Sequence, residues 1–194
     1  MKLVLASGNP GKLREIRSVL AGVDLVAQAE LGIAEAEEPH ATFLENALAK
    51  ARHASRGARL PALADDSGLC VDALGGAPGV HSAYYAGREG SREVRDARNN
   101  EKLLRHVFNE RKAHYYCVMV LVRDAEDRQP LVAEGLWRGE IARAPRGANG
   151  FGYDPLFWLP ELGRTAAELE PAHKNRISHR GRALAKMVEL LHAA

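Results

Sequence analysis

Residues 3–12 have the sequence LVLASGNPGK, and this stretch decides the fold class. The apolar run Leu3–Ala6 predicts a buried strand, and the segment SGNPG at residues 7–11 predicts a tight turn directly after it. Behind the turn, apolar residues recur at the spacing of one helix face: Leu13, Ile16, Val19 and Leu20. A strand, a glycine-containing loop and a helix in this order indicate an α/β protein.

The length and composition are those of an ordinary globular protein. The chain has 194 residues, of which 46% are hydrophobic and 27% charged. This suits one α/β domain or two closely joined lobes, and we expect a single domain over residues 1–194. The formal net charge of +2 argues against a dedicated nucleic-acid binder, which would carry a dense basic face.

Several features predict a soluble protein of the cytoplasm. No stretch approaches the ~20 apolar residues of a membrane span. The first residues also lack the apolar segment and cleavage site of a signal peptide. Cys70 and Cys117 lie in apolar runs outside any C-x-x-C pair, which predicts buried thiols in a reducing compartment. We therefore expect neither a membrane nor a nucleic acid among the partners.

The other elements follow from hydrophobic periodicity and turn residues. Thr42 and Glu45 match a capping box, so a helix is predicted from there to about Arg56. A short strand is predicted over Ala62–Ala64, and Ser178 is the predicted N-cap of the last helix. Between them we predict a loop up to residue 91, a helix over 92–108 and an antiparallel hairpin of strands over 114–123 and 131–142.

Two segments suggest a site for an anion and a metal ion. In SGNPGK, residues 7–12, glycines let the backbone approach an anion and the following helix start offers free N–H groups, although a simple tight connection is the alternative. Asp65 and Asp66 follow the short strand, where adjacent carboxylates are costly unless solvated, paired or bound to metal. Mg²⁺ binds nucleotides through such carboxylates, and an Asp-rich turn is the alternative. The acidic segment 35–38 gains meaning only if it faces this pair.

Two further segments suggest contacts with a ligand. GFGYDP at residues 150–155 alternates small residues with aromatics, and Phe151 or Tyr153 offers a flat face for a purine or serves as a core aromatic. KNRISHR at residues 174–180 places basic side chains around a predicted helix start, where the helix dipole favours anions. This conflict indicates either a compensating ligand or a basic surface patch.

These motifs, in this order, resemble the inosine triphosphate pyrophosphatase family of house-cleaning enzymes, which includes dITP/XTP pyrophosphatases. The likeness covers nearly the whole chain. It is carried by SGNPGK at 7–12, EE at 37–38, TFLENALAKA at 42–51, ADDSGL at 64–69, GGAPGV at 75–80, GFGYDP at 150–155 and KNRISHRG at 174–181. The resemblance implies an elongated α/β fold whose mixed sheet forms two lobes around a central cleft, together with a homodimer and a Mg²⁺ requirement.

The resemblance also implies a reaction, the hydrolysis of ITP, dITP and XTP to the monophosphate and pyrophosphate. Asp66 matches the general base, which activates a water for attack on the α-phosphorus, and Asp66, Glu38 and Asp65 match the metal-binding acids. The positions that match triphosphate contacts are Ser7, Gly8, Asn9, Pro10, Gly11, Lys12, Lys50 and Ser67. Those that match contacts with the base and nearby groups are Phe151, Gly152, Tyr153, Asp154, Lys174, His179 and Arg180.

One stretch departs from the family pattern, and two other functions compete. Bacterial members commonly read G-x-[YF]-S-A-R-Y after the GGAP motif, whereas this chain has His81 at the aromatic position and Tyr84 at the arginine. Tyrosine supplies neither the permanent charge nor the fork of arginine. The first rival is a Maf-like pyrophosphatase for modified pyrimidine nucleotides, against which SHR and GFGYDP speak. The second is a non-enzymatic nucleotide sensor, against which the Asp65, Asp66 and Glu38 acids speak.

Overall fold

The computed structural model describes residues 2–20 and 22–193, so residues 1, 21 and 194 of the predicted domain lie outside it. The described part contains strands β1 Lys2–Leu5, β2 Asp24–Ala27, β3 Ala62–Val71, β4 Lys112–Val122, β5 Leu131–Ile141, β6 Phe157–Leu159 and β7 Arg164–Thr165. Its α-helices are α1 Pro10–Val19, α2 Phe43–Ala58, α3 Arg92–His106, α4 Pro171–Ile177 and α5 His179–Ala193. None of these helices has the length and apolar character that crossing a bilayer requires.

The strands form one mixed sheet in the order β2-β1-β3-β4-β5-β6-β7. β1 pairs in parallel with β2 and with β3, as βαβ connections require. β6 pairs antiparallel with β5 and with β7. β4 and β5 are neighbours and follow each other in the chain, as the predicted hairpin requires. A mixed sheet with helices between its strands confirms the predicted α/β class.

The prediction that the third strand stops before Asp65 is wrong. β3 runs for ten residues from Ala62 to Val71 and contains both Asp65 and Asp66. Its pairing with β1 ends at Leu5↔Leu63, so the two aspartates lie just past the carboxyl end of β1. Adjacent residues of a strand point to opposite faces, which sends the two carboxylates in different directions. Aspartate is unfavourable in strands, and here nearby cations offset that preference.

Helix caps fix the starts of α1 and α2. Asn9 caps α1 by accepting hydrogen bonds from the N–H groups of Gly11 and Lys12, and Pro10 occupies the first turn. The Thr42 hydroxyl accepts from the Glu45 N–H, as the capping box predicts. The return bond differs, because the Thr42 hydroxyl itself donates to the Glu45 carboxylate at 2.6 Å. α5 begins directly after Ser178, as predicted.

The chain divides into two compact units. The first comprises the chain up to Asp66, residues Cys117–Gly135 and the chain from His179, and the second comprises Ser67–Tyr116 and Leu136–Ser178. In the first unit, apolar residues of the strands pack with α1 and α5 around Leu3, Leu5, Ile16, Leu63, Met119, Leu184 and Met187. In the second, the core contains Leu69, Leu103, Tyr115, Trp137, Tyr153 and Phe157. The single domain over residues 1–194 stays a prediction.

Several local expectations need correction. Cys117 is buried as predicted, but Cys70 is only half-buried where β3 bridges to Pro78, and both thiols are free. The predicted loop up to residue 91 contains a 3-10 helix over Gly79–Tyr84. Strands β6 and β7 and the short helix α4 were not predicted, because segments of two to seven residues carry too little periodicity.

Candidate functional site

The loop between β1 and α1 belongs to the first unit and has the form expected of an anion-binding turn. The Ser7 hydroxyl accepts from the Asn9 N–H at 3.2 Å, and Asn9 Oδ1 accepts from Gly11 N at 2.9 Å and Lys12 N at 3.3 Å. These bonds fix the loop before any ligand is present. Lys12 extends from the first turn of α1, and its Nζ lies 2.9 Å from Asp65 Oδ2.

The acidic segment of residues 35–38 packs against this loop. A Cβ built on Gly8 would lie 1.7 Å from Glu35 Oε1, so any larger residue at this position would require that carboxylate or the loop to shift. Three residues further along, Glu38 Oε1 lies 2.6 Å from Lys50 Nζ. The acidic segment has a predicted role only if it faces the aspartate pair. This is the case, since Lys50 also contacts Asp66 and thereby connects Glu38 with the pair.

Asp65 is buried among cations. Its Oδ2 accepts from Lys12 Nζ at 2.9 Å and from Arg180 Nε and Nη2, each at 3.3 Å. Burial by itself raises the pKa of Asp65, but the charges of Lys12, Arg180 and Lys50 outweigh it and hold the pKa below its usual range. Asp65 is therefore a permanent carboxylate. Glu15 accepts from Arg180 Nη1 at 2.5 Å, which extends the buried ion network.

Asp66 behaves differently from its neighbour. Its Oδ1 lies 3.0 Å from Lys50 Nζ, and its Oδ2 accepts from Asn46 Nδ2 at 3.4 Å. Burial raises the pKa of Asp66; Lys50 and Lys12 oppose that rise, Glu38 adds to it, and the net shift is upward. Two adjacent carboxylates thus have pKa values moved in opposite directions, a pattern that assigns different roles to two acids of one site.

The predicted metal acids are brought together only in part. Glu38 and Asp66 meet at a single position, now taken by the Lys50 ammonium, whereas Asp65 contacts Lys12 and Arg180. Among residues 2–20 and 22–193, no three His, Cys, Asp or Glu side chains are grouped so that they could hold a metal ion. The carboxylate oxygens that meet at Lys50 are nevertheless of the kind that Mg²⁺ prefers, and they already hold a cationic group.

The first residues of α5 complete this cluster. A Cβ built on Gly135 of β5 would lie 1.9 Å from the His179 carbonyl oxygen, so glycine at this position allows the helix backbone to pack on the strand. His179 and Arg180 are both buried. The family resemblance relates Arg180 to the base and nearby groups, and the structure shows its guanidinium on Asp65 and Glu15.

The GFGYDP segment lies in the second unit and is organised by Asp154. Asp154 Oδ2 accepts from Lys174 Nζ at 2.5 Å and from the Phe151 N–H at 2.9 Å, and Lys174 Nζ lies 4.9 Å from the centre of the Phe151 ring. Tyr153 is a core residue whose hydroxyl donates to the Ser82 carbonyl at 2.8 Å. Phe151 is half-buried. Of the two aromatics left open by the sequence, Tyr153 is therefore the core aromatic and Phe151 the more exposed ring.

The basic segment 174–180 does not surround one helix start. Lys174 and Arg176 lie in the last turn of α4, where cations are favourable, and only His179 and Arg180 lie at the start of α5. The predicted conflict with the helix dipole is thus wrong for Lys174. Its charge is matched by Asp154, with both side chains buried.

Several residues of these clusters were not predicted from the sequence. Glu15 holds Arg180 and Asn46 holds Asp66. Asn46 and Lys50 are four residues apart on α2, and this shared helix face was the available signal. Gly135 had none, since one glycine in a strand does not indicate what it approaches. Ser67, a predicted phosphate contact, is half-buried on β3 next to Asp66.

The departure at Tyr84 has a structural counterpart. The Arg88 guanidinium lies 4.3 Å from the centre of the Tyr84 ring, and the Arg95 guanidinium lies 5.5 Å from it. Tyrosine faces attract such cations. Two arginines thus contact the residue that stands where the bacterial pattern has one.

The fold, the ion network around Asp65 and Asp66 and the group around Asp154 agree with a known class of protein. A sequence model described as the Ham1 family matches residues 3–190, and the chain belongs to that family. This confirms the resemblance drawn from the motifs.

The relatives agree with this assignment. A dITP/XTP pyrophosphatase of Burkholderia pseudomallei is 62% identical over 98% of this chain and 93% of its own, and one of Yersinia pseudotuberculosis is 55% identical over 100% and 99%. A HAM1 protein from Coxiella burnetii has a TM-score of 0.90 at 46% identity, over the full length of both chains.

Proposed function

We propose that this protein hydrolyses the aberrant 6-oxo purine nucleotides ITP, dITP and XTP to their monophosphates and pyrophosphate, and so cleanses the nucleotide pool. The single observation that carries the proposal is the pair of adjacent buried aspartates, of which Asp65 contacts Lys12 and Asp66 contacts Lys50 beside the loop of residues 7–12. Relatives of 55–62% identity are named dITP/XTP pyrophosphatases, which supports the same reaction.

The first unit supplies the groups that bind the phosphates. Lys12 and Lys50 are long cationic side chains beside the loop of residues 7–12, and the start of α1 favours negative charge through its dipole. In this proposal the triphosphate oxygens take over part of the contacts that Asp65 and Asp66 make with these lysines. The pyrophosphate that leaves carries its charge onto the same cations.

Asp66 is the proposed general base. Burial raises its pKa and makes it a better proton acceptor than an ordinary aspartate. Asn46 holds one of its oxygens, and the other contacts Lys50 until that ammonium moves to the phosphates. A water held by Asp66 attacks the α-phosphorus, the bond from this phosphorus to the bridging oxygen breaks, and the water proton passes to Asp66. Asp65 keeps its negative charge throughout and orients Lys12 and Arg180.

A divalent cation, which we propose to be Mg²⁺, completes the site. Glu38 and Asp66 would hold it, with Asp65 as the third acid of the set, since Glu38 and Asp66 already meet at one cationic position. When bound, the metal ion neutralises charge on the phosphate oxygens. Displacement of the Lys50 ammonium from the two carboxylates would free it for the phosphates.

The contacts with the base are proposed for the GFGYDP segment and Lys174. A purine stacks on Phe151, and the Lys174 ammonium beside this ring donates a hydrogen bond to the purine O6. Adenine presents an N6 amino group at that position, which would leave a buried ammonium facing another donor. Such mismatches discriminate strongly. Asp154 holds the Lys174 ammonium in place through their 2.5 Å contact.

Two further properties follow from the family resemblance and remain proposals, namely a homodimeric assembly and a location in the cytoplasm. The mass in solution, measured by light scattering, tests the first. A monomer at micromolar concentration would contradict it.

The function is tested by pyrophosphate release from ITP, dITP, XTP, GTP, ATP and dUTP, with Mg²⁺ and with EDTA. We expect Mg²⁺-dependent turnover of the first three, and a fall in kcat of about 10²–10⁴-fold in Asp66→Asn. The matched control is Asp72→Asn, which removes an exposed aspartate directly after the end of the same strand. Equal turnover of ATP or GTP removes the selectivity for aberrant purines, turnover of modified pyrimidines alone indicates the Maf-like activity, and binding without turnover indicates a sensor.

A further inference from the structure

The peptide groups on both sides of Gly152 are held by one helix of the second unit. The Gly152 N–H donates to Asp96 Oδ2 at 3.0 Å, and the Gly152 carbonyl accepts from Asn100 Nδ2 at 2.9 Å. Asp96 and Asn100 are four residues apart on α3, so they project from the same side of the helix. Neither residue belongs to the site that the sequence predicted.

These two bonds determine the conformation of the segment. Gly152 has a φ of +63°, in the left-handed region that L-residues rarely adopt. Its N–H belongs to the peptide group shared with Phe151, and its carbonyl belongs to the group shared with Tyr153. Fixing both groups fixes the two backbone dihedrals of Gly152, and with them the directions in which Phe151 and Tyr153 leave the backbone.

The same helix also anchors the neighbouring strap of residues 82–86. Asn99 Nδ2 donates to the Ser82 and Ala83 carbonyls, each at 3.2 Å, and Asn99 Oδ1 accepts from Ala86 N at 2.7 Å. The Tyr153 hydroxyl donates to the same Ser82 carbonyl. Tyr153, which follows Gly152, is therefore bonded to a segment that α3 also holds, through Asn99.

Asp96 is suited to this role by its surroundings. It is half-buried, and as a carboxylate it forms a charge-assisted bond to the Gly152 amide, which is roughly twice as strong as a neutral one. Loss of this oxygen would leave the Gly152 amide without that partner. The left-handed turn would then depend on the Asn100 bond and on the internal contact from Phe151 N to Asp154.

We propose that Asp96 and Asn100 are positioning residues that set the affinity for the purine base by holding Gly152 and thereby aiming Phe151. This inference rests on the proposed function, because it assumes that Phe151 stacks on the base. Neither side chain touches the nucleotide; both act through the Gly152 backbone. They influence recognition of the base and leave recognition of the phosphates unchanged.

The test compares two ligands that divide the substrate. Calorimetry gives the Kd of dIMP, which carries the base, and of inorganic tripolyphosphate, which has no base. We expect Asp96→Ala and Asn100→Ala each to raise the Kd of dIMP about tenfold, equivalent to ~1.4 kcal/mol, in keeping with the loss of one hydrogen bond. The Kd of tripolyphosphate should change less than about twofold. The KM for dITP should rise with the Kd of dIMP, while kcat changes little.

Two variants act as controls. Asp96→Asn keeps an acceptor oxygen for the Gly152 amide in a weaker, neutral bond, so its Kd for dIMP should lie between those of the wild type and Asp96→Ala. Glu101→Ala removes an exposed acid of the same helix that pairs with Arg105, and it should change neither Kd.

The outcomes separate this inference from the proposed function. Equal weakening of both ligands, an unchanged Kd for dIMP in Asp96→Ala, or no binding of dIMP to the wild type would each overturn the inference. If the wild type binds both ligands but releases no pyrophosphate from dITP, the proposed function fails. The two Kd values then still decide whether Asp96 and Asn100 position Phe151 for the base.

Discussion

Replacing Arg180 with methionine removes the guanidinium that bonds both Asp65 and Glu15. Arg180 is only 2% exposed, and it donates to Glu15 Oε2 at 2.5 Å and to Asp65 Oδ2 at 3.3 Å through two nitrogens. Removing one partner of a buried ion pair costs about 3–5 kcal/mol, because a buried charge is left uncompensated. Lys12 remains on Asp65 at 2.9 Å, so we expect the lower end of that range, about 3 kcal/mol.

For a chain of this length each kcal/mol corresponds to about 2–4 °C, so Tm should fall by about 6–12 °C. Urea unfolding with an unchanged m-value gives the same loss as a free energy. Adding Glu15→Gln to Arg180→Met should recover about 1 kcal/mol, since a neutral amide needs no cation.

The matched control is Arg17→Met, which breaks the exposed Arg17–Glu30 pair and should cost under about 1 kcal/mol. The reasoning is refuted if Arg180→Met costs no more than this control, or if Glu15→Gln brings no recovery.

Three other substitutions test separate parts of the account. Asp127→Asn should lower the free energy of unfolding by about 1–2 kcal/mol at pH 7, because the pKa of Asp127 is held low by its ion-paired hydrogen bonds. The stability that these bonds give the wild type is present above the unfolded pKa of about 3.9 and is lost as pH falls below it. Urea titrations at several pH values should therefore show a smaller decline in acid for the variant than for the wild type. Gly8→Ala should raise the KM for dITP, because the clash between the new methyl group and Glu35 pushes the loop of residues 7–12 out of place. Adding Glu35→Ala removes the clash and should restore the KM; no restoration would contradict the close approach. Tyr84→Arg should lower Tm, since it exchanges the attraction between the Tyr84 ring and Arg88, worth about 0.5–1 kcal/mol, for repulsion; an unchanged Tm would make the departure from the family pattern neutral.

The sequence allowed much of the fold to be predicted where apolar residues form unbroken runs or recur at helical spacing. β1 and β4 appear at apolar runs, α1 and α2 appear where apolar residues recur on one helix face, and the start of α2 follows its predicted cap. β3 was cut short, because two aspartates look like a turn when the cations that compensate them come from distant parts of the chain. Arg180 reaches Asp65 across 115 positions of sequence, a separation that no local pattern conveys.

The candidate site, too, could be predicted only in part from the sequence. The chemistry of the side chains pointed to Lys12 and the aspartate pair, and the family resemblance pointed to Lys50. The residues that hold these groups were not predicted. Asp96 and Glu15 look like ordinary charged positions of helices until the chain folds, because their partners are a backbone amide and a distant guanidinium.

The most direct test of the central claim is hydrolysis of dITP in water enriched in ¹⁸O, with both products analysed by mass spectrometry. Attack by a water held at Asp66 on the α-phosphorus places the heavy oxygen in dIMP and leaves the pyrophosphate unlabelled. Label in the pyrophosphate, or release of inorganic phosphate in its place, would contradict the proposed reaction.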